Sequence, residues 1–354
     1  MAQRMFAMEA DDITIQCSDE VTVNVIVSVA GIGLVYENAA NYQPVNGIVK
    51  LGELGELVNR CIEISNSFHS LASEQRRYAS CTLTVGIPDE EIEETAEVLY
   101  CRKRVGLSAT DILFMTGCRN RRVVPGQHVI LYVPNQQGLT IQHKVAYLYN
   151  EQVYYVSDTE EPVTGQNTYI CIDCSPELEL SAVAPSGSTL IYYDVELYYD
   201  NELCDRVHCE IDTTYYARKA EWIFINLFGV QESVIMRGNE EDEVKHEASY
   251  GYAGTIYRKF DTQLTYERKT NSGWLAPGEW EMLCDLSESP ATGIRTGNDI
   301  TDLVITGAEV KRVNPSNEPE AVTFTWRYKD RVELAPDTKK LFVFERPPFD
   351  ESFE

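Results

Sequence analysis

Residues 222–233 read WIFINLFGVQES. An apolar run of this kind serves as a buried strand, a membrane segment, a ligand groove or a docking surface. Asn226 and Gly229 tolerate positive φ, so the chain turns there. The run before the turn reads as a strand. Trp222 and Phe224 point one way, joined by Phe228, while Ile223 and Ile225 point the other. Apolar residues on both faces require cover on both sides. One cover is the core of the domain itself. The other is the same core, a helix (277–288 is the candidate) or a neighbouring subunit. Trp222, Phe224, Phe228 and Trp280 are therefore the candidate residues for core or subunit interface. Burying one such side chain contributes roughly 1.5–3 kcal/mol, so several together would make a tight interface. For each residue singly, a place inside its own chain is the expectation.

The run is too short to cross a bilayer, which takes ~18–20 apolar residues, and the other apolar stretch, 21–35, is interrupted by polar positions. No membrane span is expected. The first residues, MAQRMFAMEADD, turn acidic at once and lack the apolar centre of a signal peptide, so synthesis in the cytoplasm is the expectation. With 30 Lys+Arg against 56 Asp+Glu, the formal charge is −26. That field repels phosphate backbones and argues against nucleic acid as a partner. Assembly of such chains would take defined contacts, salt or divalent cations. At 44% hydrophobic the chain has enough apolar content to build cores rather than remain disordered.

The 354 residues suggest two or three domains of about 100–200 residues each. Composition is that of strands and turns, and the fold class predicted is mainly β. The segments are 1–115, 116–200 and 201–354. In the first, residues 21–29 alternate strictly with valine at every odd position, a half-buried strand. Ala30-Gly31-Ile32-Gly33 then reads as a turn or bulge, since the third glycine of a dinucleotide loop is replaced by Tyr36. Leu51, Leu54, Leu57, Val58, Cys61 and Ile62 have helical spacing. Residues 79–86 and 96–101 read as strands flanking an acidic loop. The second segment holds six strand-like runs: HVILYVP, LTIQHKVAYLY, QVYYVSD, NTYICIDC, LELSAVAP and STLIYYDVELYYD. Their spacing predicts a β-sandwich of immunoglobulin-like architecture, without the Cys-Trp-Cys signature. In the third, NEEDEVKHEAS reads as an acidic loop, and Pro277, Glu279, Trp280, Leu283 and Cys284 mark a short helix near 277–288. No internal repeat is visible.

Candidate chemistry is sparse. Cys171-x-x-Cys174 with Cys204 and His208-Cys209 supplies enough ligands for a tetrahedral zinc site. Adjacent residues of an extended segment point opposite ways, however, so His208-Cys209 closes such a site poorly. The better reading of the ten cysteines is thiols acting as small buried hydrophobes. His128 and His143 flank strand runs as surface or edge residues, and His246 sits in the acidic stretch. Carboxylate runs at 90–94 and 240–243 read as solvated loops. The tyrosines of IYYDVELYYD read as cross-strand pairs before they read as a sugar platform. No catalytic group, cofactor or metal is expected. A glycan-binding sandwich and a carbohydrate-active enzyme with a carboxylate pair are the rival functions.

EWIFINLFGVQESVIMRG, YRKF, TQLTYERKTNSGWLAPGEWEMLCDLSESP and VITGAEVKRVNPSNEPEAVTFTWRYKDR together resemble structural proteins of tailed phages and prophages. The shared pattern is an aromatic strand ending in Asn-x-Phe-Gly, a Glu-Ser step, a Ser-Gly-Trp-Leu helix start, a helix ending in Ser-Pro, and a late aromatic strand. GIVKLGELGELVNRCIE is similar to the same chains. The resemblance covers the last third and, more loosely, the first sixty residues. It implies a tail-tip or baseplate component similar to distal-tail or adaptor proteins, which form rings and are not enzymes. The implied partners are copies of the chain and other tail proteins, and the implied location is the virion.

Overall fold

In a computed structural model, residues 3–29, 32–65, 71, 80–87, 92–160, 168–216, 219–253, 256–276, 278–309 and 321–329 are described. Strands account for 56% and helices for 13%, so the fold is mainly β with several sheets.

The first elements are β1 (Gln3–Phe6), a 3-10 helix (Ala7–Asp12), β2 (Thr14–Gln16), β3 (Val21–Val29), β4 (Gly33–Tyr42), β5 (Ile48–Lys50), α1 (Leu54–Ser65), β6 (Ser80–Ile87) and β7 (Ile92–Leu99). They build a sheet ordered β1-β7-β6-β3-β4. All five valines of β3 are buried, as its alternation requires. The helix α1 covers the same core with Leu54, Val58, Cys61 and Ile62. Gly55, unfavourable for helix propensity, has a packing reason. A Cβ there would lie 2.5 Å from the Ala7 carbonyl oxygen and 2.9 Å from Met8 Cα, so only glycine admits the 3-10 helix. Of the acidic stretch after β6, residues 88–91 lie outside the described residues, and Ile92 onward belongs to β7. Ala30 and Gly31 are likewise outside.

Residues 100–119 then run without regular structure to β8 (Asn120–Val123), β9 (Ile130–Pro134), β10 (Leu139–Tyr149), β11 (Gln152–Glu160), β12 (Tyr169–Asp173), α2 (Pro176–Val183), β13 (Thr189–Tyr199) and β14 (Glu202–Ile211). A five-stranded sheet, β11-β10-β13-β14-β8, faces the ribbon β12-β9 across a core of Leu131, Ile141, Ile172, Tyr193, Val195 and Val207. The arrangement is sandwich-like, but the second layer is two strands and a helix, which departs from the immunoglobulin-like pair of sheets. Residues 178–185, expected as a strand, lie mostly in α2. Ser175 as N-cap, Pro176 in the first turn, and Glu177 and Glu179 at the positive end are helix-start signals that outweigh the apolar alternation. The boundary expected at 200/201 falls at the tip of the β13–β14 hairpin, so β14 belongs to the middle sheet.

The last elements are β15 (Ala220–Ile225), β16 (Gln231–Met236), β17 (Glu240–Ala253), β18 (Ile256–Asn271), α3 (Glu279–Ser287), β19 (Thr292–Thr296), β20 (Asp299–Glu309) and β21 (Thr323–Tyr328). They form a seven-stranded sheet, β16-β15-β19-β20-β21-β18-β17. The 222–233 stretch is the β15–β16 hairpin of this sheet. Trp222 and Phe224 pack with Met282, Leu283 and Leu286 of α3 and with Phe324 and Trp326. Ile223 and Ile225 face the other way, into the core of the first sheet. One strand thus walls two cores. Phe228 goes with the isoleucines, not with Trp222: its ring lies 5.8 Å from that of Phe6. The turn at Asn226–Gly229, with Gly229 at φ +75°, reverses the chain and resets which face the ring takes. Pro277 lies outside the described residues, and Gly278 at φ +96° starts α3. The face α3 buries is Glu279, Met282, Leu283 and Leu286, leaving Trp280 and Cys284 half-buried at its flank. Residues 239–249, expected as an acidic loop, lie almost wholly in the strand Glu240–Ala253.

Candidate assembly surface

The four aromatic candidates lie in or against cores of the chain itself. Trp222 and Phe224 are fully buried and Phe228 is buried, while Trp280 packs against the core beneath α3. The Trp222 ring meets Phe324 at 5.6 Å and Trp326 edge-on at 5.7 Å. Trp222, Phe224 and Phe228 present no open face for a partner, whereas Trp280 keeps part of its ring at the surface.

The hairpin that follows Trp222 does carry a polar function. Asn226 Oδ1 accepts from the backbone N–H of Phe228 at 2.9 Å, and its amide donates to the Met115 carbonyl at 2.8 Å and to Glu232 at 3.1 Å. Glu232 also accepts from Arg121 at 2.7 Å and from Thr116 at 2.6 Å. Arg119, Arg121 and Arg122, a compact basic cluster in the sequence, are divided among three acidic partners. Arg119 pairs with Asp205 of the middle sheet at 3.0 Å, Arg121 with Glu232 of β16, and Arg122 with Glu279 of α3 at 3.3 Å. Nearby, Arg102 pairs with Asp285 of α3. Burial pushes the Asp285 carboxyl up to about 6 despite that guanidinium. These pairs fix the three sheets together at residues 100–122.

The β17–β18 ribbon extends past the strands that pair with it. The two strands pair with each other from Glu240↔Thr270 to Ala253↔Ile256. The body grips only the base, where β18 meets β21 from Arg268↔Trp326 to Asn271↔Thr323. Beyond Arg268 no third strand pairs with either edge among the described residues. At about 3.3 Å per residue, the part of β18 beyond that grip is roughly 40 Å long. Isolated two-stranded ribbons are marginal in water, and open edges invite pairing. Val244, Tyr250, Ile256, Tyr257 and Tyr266 are more than half exposed on it. Val244 stands directly opposite Tyr266, and the rings of Tyr250 and Tyr257 stack at 5.7 Å. The acidic start of β17 is matched across the ribbon: Asp242 meets Arg268 at 3.0 Å and Glu243 meets Lys269 at 3.4 Å. That matching was present in the sequence as an acidic run followed by YERK, with Gly251 and Gly254 between. Read one segment at a time, the acidic run looked like a loop.

At the base of the ribbon a cleft of about 530 Å³ is lined by Arg122, Arg237, Lys269, Asn239, Asn271 and the exposed Trp274, with Glu241 its one carboxylate. The carboxylate pair that a glycosidase would use does not line it.

The Cys171, Cys174, Cys204 and Cys209 set does not converge. Cys171 is exposed on β12, Cys204 is half-buried, and Cys174 and Cys209 are buried. His208 pairs instead with Asp194 at 2.7 Å. All ten cysteines are free thiols, six of them buried. His128 is partly exposed, as an edge position implies, but His143 is largely buried within β10. The side chain of His246 lies outside the described residues. The tyrosines of β13 are divided between its two sides: Tyr193 is buried and donates to the Cys174 carbonyl at 2.6 Å, while Tyr192 packs on His208. No helix among the described residues is long and apolar enough to cross a membrane. Comparison with models of protein families and with curated proteins finds no match.

Proposed function

We propose that the chain is a structural component of a phage or phage-like particle, in the tail or baseplate, that assembles with copies of itself and with other particle proteins. The observation that carries this reading is the projecting β17–β18 ribbon, with two open edges and exposed aromatic residues. Charge supports the same reading. Residues 244–266 carry Lys245, Arg258 and Lys259 against Glu247 and Asp261, on a chain of net charge −26. With Glu243 and Glu267 flanking this span the ribbon is close to neutral, so the acidic body of a neighbouring copy repels it far less than two bodies repel each other. The pattern shared with tail-tip and baseplate proteins supports the choice of particle, and the role needs no catalytic residue or cofactor.

The test is assembly of the purified chain, followed by mass photometry and negative-stain imaging across concentration and salt. Oligomers or rings are expected. A variant with residues 246–264 replaced by Asn-Gly, which closes Lys245 onto Thr265 with a two-residue turn, is expected to stay monomeric. A full-length chain that stays monomeric under all conditions, with and without the proteins encoded beside it, overturns the proposal. So does a shortened chain that assembles as well as the full one.

A further inference from the structure

Outside the assembly surface, three side chains with metal-ligand chemistry converge inside the middle unit. His143 comes from the centre of β10, Cys174 from the end of β12, and Glu179 from the first turns of α2. One donor atom of each lies within 4.8 Å of the others. His143 Nδ1 stands 2.8 Å from Glu179 Oε1. The side chains of His143 and Glu179 are 13% and 5% exposed, and Cys174 is fully buried. Ligands around a tetrahedral zinc ion lie about 3.3–3.8 Å apart, from bond lengths of ~2.0–2.3 Å. The His143–Glu179 pair is closer than that range and no pair exceeds 4.8 Å, so side-chain adjustments of under about 1 Å accommodate an ion.

We propose that His143, Cys174 and Glu179 bind a thiophilic divalent metal ion, zinc being the best match. The donor set is one imidazole nitrogen, one thiolate and one carboxylate, which together neutralise the ion. A thiolate selects zinc-like ions over magnesium or calcium, which take oxygen ligands. The surroundings are those of a built site. Glu160 of β11 stands 3.6 Å from His143 Nε2, the nitrogen facing away from Glu179, and needs an approach of about 0.5 Å to hydrogen-bond it. A carboxylate on the second nitrogen is the usual way a metal-ligating imidazole is held in orientation. The backbone of Cys174 is pinned from two sides: its N–H donates to the Val129 carbonyl at 2.8 Å, and its carbonyl accepts from Tyr193 at 2.6 Å. Among the described residues, its thiol has one hydrogen-bond contact, a long one to the Ile172 carbonyl at 3.7 Å. Burial holds that thiol well above its ordinary range, so the metal-free site keeps it protonated, and binding releases the proton.

Cobalt(II) titration of the full chain after chelator dialysis, followed by near-ultraviolet and visible absorption, tests this. One equivalent is expected to bind, with a thiolate-to-cobalt charge-transfer band that zinc abolishes by displacing cobalt. Cys174→Ser is expected to lose the band, and Cys171→Ser, on the exposed side of β12, to keep it. Glu179→Gln preserves shape and is expected to weaken binding at least ~10-fold, while far-ultraviolet circular dichroism checks that each variant is folded. Wild-type chain that binds no cobalt overturns the proposal. So does a band that survives Cys174→Ser, or affinity unchanged by Glu179→Gln.

Discussion

Arg121 of the middle sheet and Glu232 of the third, each 3% exposed, meet beside the irregular segment at 100–119. Their worth is not the Coulomb attraction alone, because desolvating both charges offsets most of it. What the pair controls is the cost of separation. Arg121→Met leaves Glu232 buried without its guanidinium, and urea denaturation is expected to show a loss of about 3–5 kcal/mol. Arg121→Met combined with Glu232→Met is expected to recover part of that loss, because no lone charge remains. Asp285 contributes with the opposite dependence. Its folded-state pKa, raised by burial to about 6 from 3.8, means that the folded chain holds the proton more tightly than the unfolded one. The associated stability is complete below the unfolded pKa and is lost as pH rises through about 6. Relative to Asp285→Asn, the wild type is expected to gain ~1 kcal/mol between pH 7 and pH 5. Equal pH profiles for the two proteins would remove Asp285 from the account.

At the scale of elements, the ribbon β17–β18 is where stability and assembly separate. Val244 and Tyr266 are more than half exposed and opposite each other, so the fold gains little from them. Replacing both by threonine is expected to change unfolding free energy by under about 1 kcal/mol while weakening oligomers seen by mass photometry. A large stability loss would mean that the ribbon packs on its own body. How legible each element was depended on whether its partner lay near in sequence. The valines of β3 and the Leu-rich helix α1 declare a face by local period alone. The two-sided burial of Trp222-Ile223-Phe224-Ile225 was also readable, but not that the two faces serve different cores of one chain. The strand β17 looked like a solvated loop because its acids are balanced by Arg268 and Lys269 some 25 positions on. The helix α2 was hidden by residues that alternate like a strand, and with it went Glu179, which no reading of a strand would place beside His143 and Cys174. Likewise Glu232 appears in the sequence as one acid among 56, and only the fold brings Arg121 to it.

For the molecule as a whole, the shared wall decides whether the segments are independent. The core of the first sheet contains Ile223, Ile225, Phe228 and Val230 from the β15–β16 hairpin, and Tyr169 from β12. A fragment ending at residue 115 therefore lacks apolar side chains that close its core, although it contains every strand of its own sheet. Losing several buried residues at roughly 1.5–3 kcal/mol each removes as much as a typical domain's whole margin of about 5–15 kcal/mol. Residues 1–115 expressed alone are expected to lack a cooperative thermal transition, whereas the intact chain melts with one dominant transition in calorimetry. Raising salt should favour the intact chain by screening the self-repulsion of 56 acids against 30 bases, but it cannot restore the missing wall of the fragment. A fragment that melts cooperatively at any salt concentration would show that the first sheet closes its core without β15, and that the double-faced strand joins domains already complete.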